Sequence, residues 1–212
     1  MVRLESSRSE PTRAIRLAPA KIGKGERTRQ AILNAAIVRF GRDGYRATSI
    51  ADIARDASVG PTVPFAYFAN KEVLFLSAAD EDAAALVQAA LEVVSVEPIS
   101  TWPTKLFTTL IAALEDRPLA RRLLAGLEPE VTGRVLDIPA LSELRKACER
   151  RLAEDQLAGK VRSDLEASAL ANGAVTIMLS LLMSVVQLGG DLIARYGNDV
   201  SAFFDAALVQ GR

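Results

Sequence analysis

Apolar residues recur along this chain at the three- to four-residue interval of a helix, and nowhere in the sustained alternation of a strand. Between residues 26 and 41, Ala31, Ile32, Ala35, Ala36, Val38 and Phe40 predict a first helix, which Gly44 stops. Thr48 and Ser49 offer caps for a short second helix, Asp52 completes a Ser-x-x-Asp box, and Ile50, Ile53, Ala54 and Ala57 form its apolar face. Ser58-Val59-Gly60 has the length and composition of a tight turn between helices. Asn70 then caps a long helix, rich in Ala and Leu, to about Val94.

Pro98, Pro103, Pro118, Pro129 and Pro139 divide the middle of the chain, and the pattern predicts helices over 104–114, 119–127 and 140–157. Ser163 to Glu166 reads as a capping box opening a long apolar helix over about 164–188, ended by Gly189-Gly190. A final helix is expected over 198–209. The predicted fold class is all-α, with about nine helices.

Charge changes the picture. The net charge is zero, yet residues 1–72 hold thirteen Lys and Arg against seven Asp and Glu, so the remainder is acidic by the same excess. A basic first third on an acidic body is expected when one part meets a polyanion, and nucleic acid is the first candidate. Residues 1–22, with Arg3, Arg8, Arg13, Arg16, Lys21 and two prolines, read as a flexible basic arm that could touch phosphates or a minor groove.

Composition then excludes chemistry. There is no histidine, which removes histidine triads, imidazole bases and His-ligated metal sites; no nucleotide loop or metal cluster stands in their place. Neither an enzyme nor a cofactor is expected. The single cysteine, Cys148, excludes an intramolecular disulfide and reads as a core residue. The N-terminal residues lack an apolar run of signal-peptide length, so the expected location is the cytoplasm.

A short capped helix, a three- to four-residue turn and a second short helix in a basic unit form a recipe for reading a DNA major groove. Residues 28–74 add detail: "ILNAA" with Phe40 in the first helix, "GYRATSIADIA" into the second, and "YFANKEVL" at the exit. This set resembles the DNA-binding domain of the tetracycline-repressor (TetR) family. The resemblance implies a flexible arm over 1–22, a helix-turn-helix domain over 23–72, and a helical regulatory and dimerisation domain over 73–212. It implies a homodimeric regulator, usually a repressor, of an inverted-repeat operator on double-stranded DNA, answering to a small molecule. Carried over by position, Thr28, Thr48 and Lys71 would contact phosphates, with Ser49 beside them, and Gly60 to Tyr67 would form the recognition segment.

Two prolines complicate that segment. With Gly60 as cap, Pro61 is the first helical residue, where its missing N–H has no partner anyway. Pro64 removes the first N–H that would bond back to the cap, and it disfavours a helical Val63; losing one terminal bond costs less than the roughly 3 kcal/mol of an interior proline. The expectation is a turn that becomes regular helix from about Phe65. Phe65 stands where the family commonly has Tyr, removing one phosphate hydrogen bond, while Tyr67 keeps a phenol nearby. Pro61, Thr62, Val63 and Pro64 would present methyl and ring surface suited to thymine methyl groups. The alternative is an all-α small-molecule-binding or scaffold protein whose degenerate helix-turn-helix no longer reads a specific site.

In the C-terminal part, residues 167–190 contain no charged side chain, which meets the length criterion for a membrane span. Ser168, Asn172, Thr176, Ser180 and Ser184 nevertheless mark a small polar stripe at i+4 spacing. The stripe could line a ligand pocket or let two copies pack, and the second option is favoured, with the last two helices forming the dimer interface and no membrane involved. Trp102, Phe107, Met178 and Met183 are candidate contacts for an apolar effector, because pockets are mostly apolar.

Overall fold

The protein is described from a computed structural model over residues 23–189 and 191–208; the arm over 1–22 lies outside the described residues. The elements are α1 (Lys24–Ala47), α2 (Ile50–Asp56), a 3-10 turn (Val63–Ala66), α3 (Lys71–Val96), a second 3-10 turn (Ile99–Thr101), α4 (Trp102–Ala113), α5 (Pro118–Leu124), α6 (Pro129–Val135), α7 (Pro139–Leu157), α8 (Ala167–Leu188) and α9 (Asp191–Leu208). The fold is all-α, as the periodicity predicts.

Two hydrophobic cores organise it. Ile32, Leu33, Ala36 and Phe40 of α1, Ile53 of α2, Phe68, and Leu74, Phe75, Ala78 and Ala79 of α3 close the N-terminal core. Phe40 meets Phe75 edge-on at 5.0 Å between ring centroids, and Tyr45 meets Phe75 at 5.1 Å. Leu119 and Leu123 of α5 complete this core from the far side of the sequence. The second core joins Val87 to Val94 of α3 with α4, α7, α8 and α9. A division at residue 72 therefore falls in the first turn of a helix whose two halves serve different cores. At the end of α3, Arg151 of α7 donates to the carbonyls of Val94 (2.7 Å) and Glu97 (3.2 Å), groups that a helix terminus leaves without partners.

Several expectations change. The helix over 129–135 was not anticipated, because Pro129 reads equally as a loop signal. The box at residues 163–166 does not form: Arg162 holds Asp164 through two bonds of 2.7 and 2.6 Å, and α8 begins only at Ala167 with no side-chain cap. The last helix starts at Asp191 rather than 198, since Gly189 at φ 96° ends α8 sharply enough for a new helix to follow at once. Its expected last residue, Val209, lies outside the described residues.

By length and composition α8 could cross a membrane. In the fold, its Ala171, Val175, Met178 and Leu182 are buried in the second core. Of the polar stripe, Asn172, Thr176 and Ser180 are exposed and Ser168 and Ser184 half-buried, on the side away from that core.

Candidate nucleic-acid interface and apolar cavities

The N-terminal head is built by local capping. The Ser49 hydroxyl oxygen accepts from Asp52 N (3.1 Å) while donating to its carboxylate (2.7 Å), fixing the start of α2. Asn70 accepts from Val73 N (2.9 Å) and starts α3. Between them, Ser58 at φ 55° makes the turn, and the recognition segment follows.

That segment is not an α-helix at any point. Residues 63–66 form a 3-10 turn, with Val63 N donating to Gly60 O, Phe65 N to Thr62 O, and Tyr67 N to Pro64 O. An i to i+3 pattern costs Pro64 one bond, as expected, but the regular helix predicted from Phe65 is absent. Pro64 explains this: it has no N–H to give an i to i+4 bond back to Gly60, and the tighter turn remains until Phe68 N closes on Pro64 O (2.9 Å).

The surface differs accordingly. Gly60, Pro61, Thr62, Phe65 and Tyr67 are exposed, with Phe65 54% accessible; Val63 is half-buried, and Pro64 is among the fully buried side chains. Pro64 therefore belongs to the support of the segment rather than to its reading face. Thr48 is also relocated. Its side chain is 2% accessible and its hydroxyl donates to Gly44 O (2.7 Å), so it braces the end of α1, and Ser49 alone caps α2. The Thr28 hydroxyl donates to Lys24 O (3.0 Å) within the first turns of α1.

Lys71 opens α3 with its ammonium 4.5 Å from the centre of the Tyr45 ring, donating to Arg46 O at 3.4 Å. Partial burial lowers its pKa and the Glu128 carboxylate opposes that shift. Much of the head's basic charge is committed to carboxylates: Arg39 to Asp56 and Asp43, Arg42 to Asp43, Arg55 to Asp52, Arg29 to Glu26, and Arg46 to Glu130. The pairs of Arg29, Arg42, Arg46 and Arg55 are solvent-exposed and weak, so a phosphate can compete for those guanidiniums, whereas Arg39, its side chain 15% exposed, is held by two bonds to Asp56.

A three-helix head with a capped second helix and a turn exposing its next segment has the form of a helix-turn-helix unit. Residues 32–78 match the family model described as bacterial regulatory proteins, tetR family. This segment is a DNA-binding head of the TetR type. The full fold agrees. A TetR-family transcriptional regulator from Mesorhizobium loti MAFF303099 superposes with a TM-score of 0.69 at 20% identity, covering 89% of this chain and 100% of that one. The regulator FadR of Bacillus subtilis, solved in complex with stearoyl-CoA, gives 0.66 at 17%, over 84% of this chain and 98% of that one. A gamma-butyrolactone receptor gives 0.53 at 21%, over 87% and 89%. No curated protein matches the chain.

Beyond the TetR head, the second core encloses an apolar cavity of about 120 Å³. Trp102 and Met178 line it, as the sequence suggests, with Leu86, Leu110, Leu144 and Cys148. Burial pushes the Cys148 thiol up to about 11, so it stays neutral. Phe107 lines a second cavity of about 230 Å³ with Thr104, Thr108, Leu181, Ser184 and Asn198. Met183 lines neither.

Sequence reasoning missed the junction between head and body. The Gly44 backbone turns at φ 86°, and beside it Glu128, 7% accessible, accepts from Arg122 Nε (2.6 Å) and from Tyr45 N (3.2 Å). Helix α5, which carries Arg122, packs so closely on α1 that a Cβ at Gly41 would lie 2.7 Å from Pro118 Cβ. Asp82, 1% accessible, accepts from Ala120 N (2.8 Å) and anchors the same helix to α3, with Arg117 at 3.9 Å. No local signal marks the contacts that join head to body, since Asp82 and Ala120 lie 38 residues apart and Tyr45 and Glu128 lie 83 apart; the Gly41-x-x-Gly44 pair at the end of α1 was their trace.

Proposed function

We propose that the protein is a ligand-responsive transcription regulator of the cytoplasm, a repressor in its unliganded form, acting as a homodimer on an inverted-repeat operator. One observation carries this reading: Leu123 of α5 belongs to the core of the DNA-binding head and also lines the apolar cavity. Filling the cavity displaces a helix that is wedged against α1. In a dimer joined through α8 and α9, the displacement changes the spacing of two heads from the roughly 34–36 Å of one DNA turn. Exposed Gly173, Ile177 and Ser180 on α8, with Phe203 at 60% accessibility and Ala206 on α9, supply a face of small and apolar residues for a second copy. Thr28, Pro61, Thr62, Phe65, Tyr67 and Lys71 are the proposed DNA contacts, with thymine methyls facing Pro61 and Thr62. The neighbour's stearoyl-CoA does not transfer as a ligand, because neither cavity carries a charged side chain among the described residues to receive its phosphates.

The test is binding to the DNA upstream of the protein's own reading frame by fluorescence anisotropy across a salt series. Affinity should fall linearly on log axes with salt as phosphate contacts release counterions. A second reading draws on the 3-10 form of the recognition segment: a small-molecule-binding protein whose head reads no specific site. Equal affinity for upstream and scrambled DNA selects it.

A further inference from the structure

The two cavities differ in chemistry and share one residue, Pro103. The inner one is lined by hydrocarbon, the Trp102 ring and the neutral Cys148 thiol. The Trp102 indole N–H is committed to Glu97 O at 3.3 Å and is withheld from a ligand. The outer one adds Thr104, Thr108, Ser184 and Asn198. Two of its hydroxyl protons are already committed: Thr108 donates to Thr104 O (2.9 Å) and Ser184 to Ser180 O (2.9 Å). What these two groups offer a ligand is lone pairs. Consecutive residues of two helices divide between the chambers, Leu106 and Phe107 of α4, Leu182 and Leu181 of α8. Neither chamber alone reaches the roughly 300 Å³ at the lower end of ligand sites, whereas the two together do.

We propose that both chambers form one site for an uncharged amphipathic molecule, with its hydrocarbon end in the inner chamber and a hydrogen-bond-donating end, such as an alcohol, at Thr108 and Ser184 in the outer one. This rests on the regulator reading for its consequence on DNA but not for the binding itself. A carboxylate fits less well, since no charged side chain among the described residues lines either chamber and the Thr108 and Ser184 oxygens would meet it with lone pairs, leaving the exposed Thr104 hydroxyl and Asn198 amide as its donors.

The probes are 1-decanol, decanoate at pH 8, and benzene, which fits a cavity of about the inner chamber's size. Binding to the full chain is read from the fluorescence of Trp102, the single tryptophan. The expected result is that decanol changes the emission and binds at least about tenfold more tightly than decanoate. Thr108→Val with Ser184→Ala should weaken decanol about three- to tenfold, the worth of one or two hydrogen bonds, and leave benzene unchanged. Unchanged benzene binding also shows that the variant is folded. Decanoate binding as tightly as decanol overturns the assignment, as does a variant that binds decanol like the parent. If decanol binds and the upstream DNA stays bound, the regulator reading fails and the site stands. If decanol does not bind while the protein still selects that DNA, the site fails and the reading stands.

Discussion

Replacing Gly41 by alanine sets two effects of known size against each other. Gly41 lies within α1, where alanine is favoured over glycine by about 1 kcal/mol on helix propensity. The new Cβ would lie 2.7 Å from Pro118 Cβ, 2.9 Å from Pro118 C and 3.0 Å from Leu119 N. A proline ring and a helix backbone cannot swing aside as a flexible side chain can, so α1 and α5 must part. Overpacking of this kind costs about 1–3 kcal/mol, which leaves a net loss of about 1 kcal/mol after the propensity gain. For a chain of this size that lowers Tm by about 2–4 °C. Gly25→Ala in the same helix is the control, because its nearest neighbour would be Tyr67 Oη at an ordinary 3.8 Å; it should leave Tm unchanged or raise it. The assay is calorimetric melting of the two variants beside the parent. A Gly41→Ala protein that melts at or above the parent would refute the wedge, and with it the route from cavity to head.

Three further outcomes follow from the same geometry. Glu128→Ala leaves the partly buried Arg122 guanidinium and Tyr45 N without their acceptor; the loss should be about 2–3 kcal/mol by urea unfolding, under the 3–5 kcal/mol of fully buried pairs because water reaches Arg122. Hydrogen bonds from Arg42, Ser49 and Arg39 hold the carboxyls of Asp43, Asp52 and Asp56 below their ordinary pKa. Folded-state values under the unfolded ones give stability that is present above about pH 4 and lost as pH falls through the lowered values. Asp56→Asn should therefore flatten the acid side of a urea-midpoint profile, and an unchanged slope removes Asp56 from it. Cys148, 2% accessible with its thiol raised to about 11, should resist iodoacetamide at pH 7.5 in the native chain and react once urea unfolds it; mass spectrometry reads both states.

Much of the head was legible because its signals are local. Ser49 with Asp52, Asn70 with Val73, and the apolar spacing of Ile32, Ala36 and Phe40 each act within one or two turns, so residue order alone places them. The cost of Pro64 was legible for the same reason, but its destination was not. The lost bond follows from the ring, whereas burial of Pro64 and withdrawal of Thr48 from the surface depend on how α1 and α2 close over them. The same holds for the C-terminal half, where the positions of helices followed from prolines, glycines and period. An Arg162–Asp164 pair nonetheless overrode the capping box, and Gly189 allowed α9 to start early.

The sequence by itself determined an all-helical chain, a basic head with helix-turn-helix spacing, and the absence of histidine chemistry, because composition and short-range capping need no third dimension. Only the tertiary structure decided that α5 joins the head's core to the cavity wall, that Glu128 reaches Tyr45 N across 83 residues, and that Trp102 and Phe107 face different chambers. Contacts of that range form where packed helices leave room or exclude it, and no stretch of sequence contains both sides of the packing.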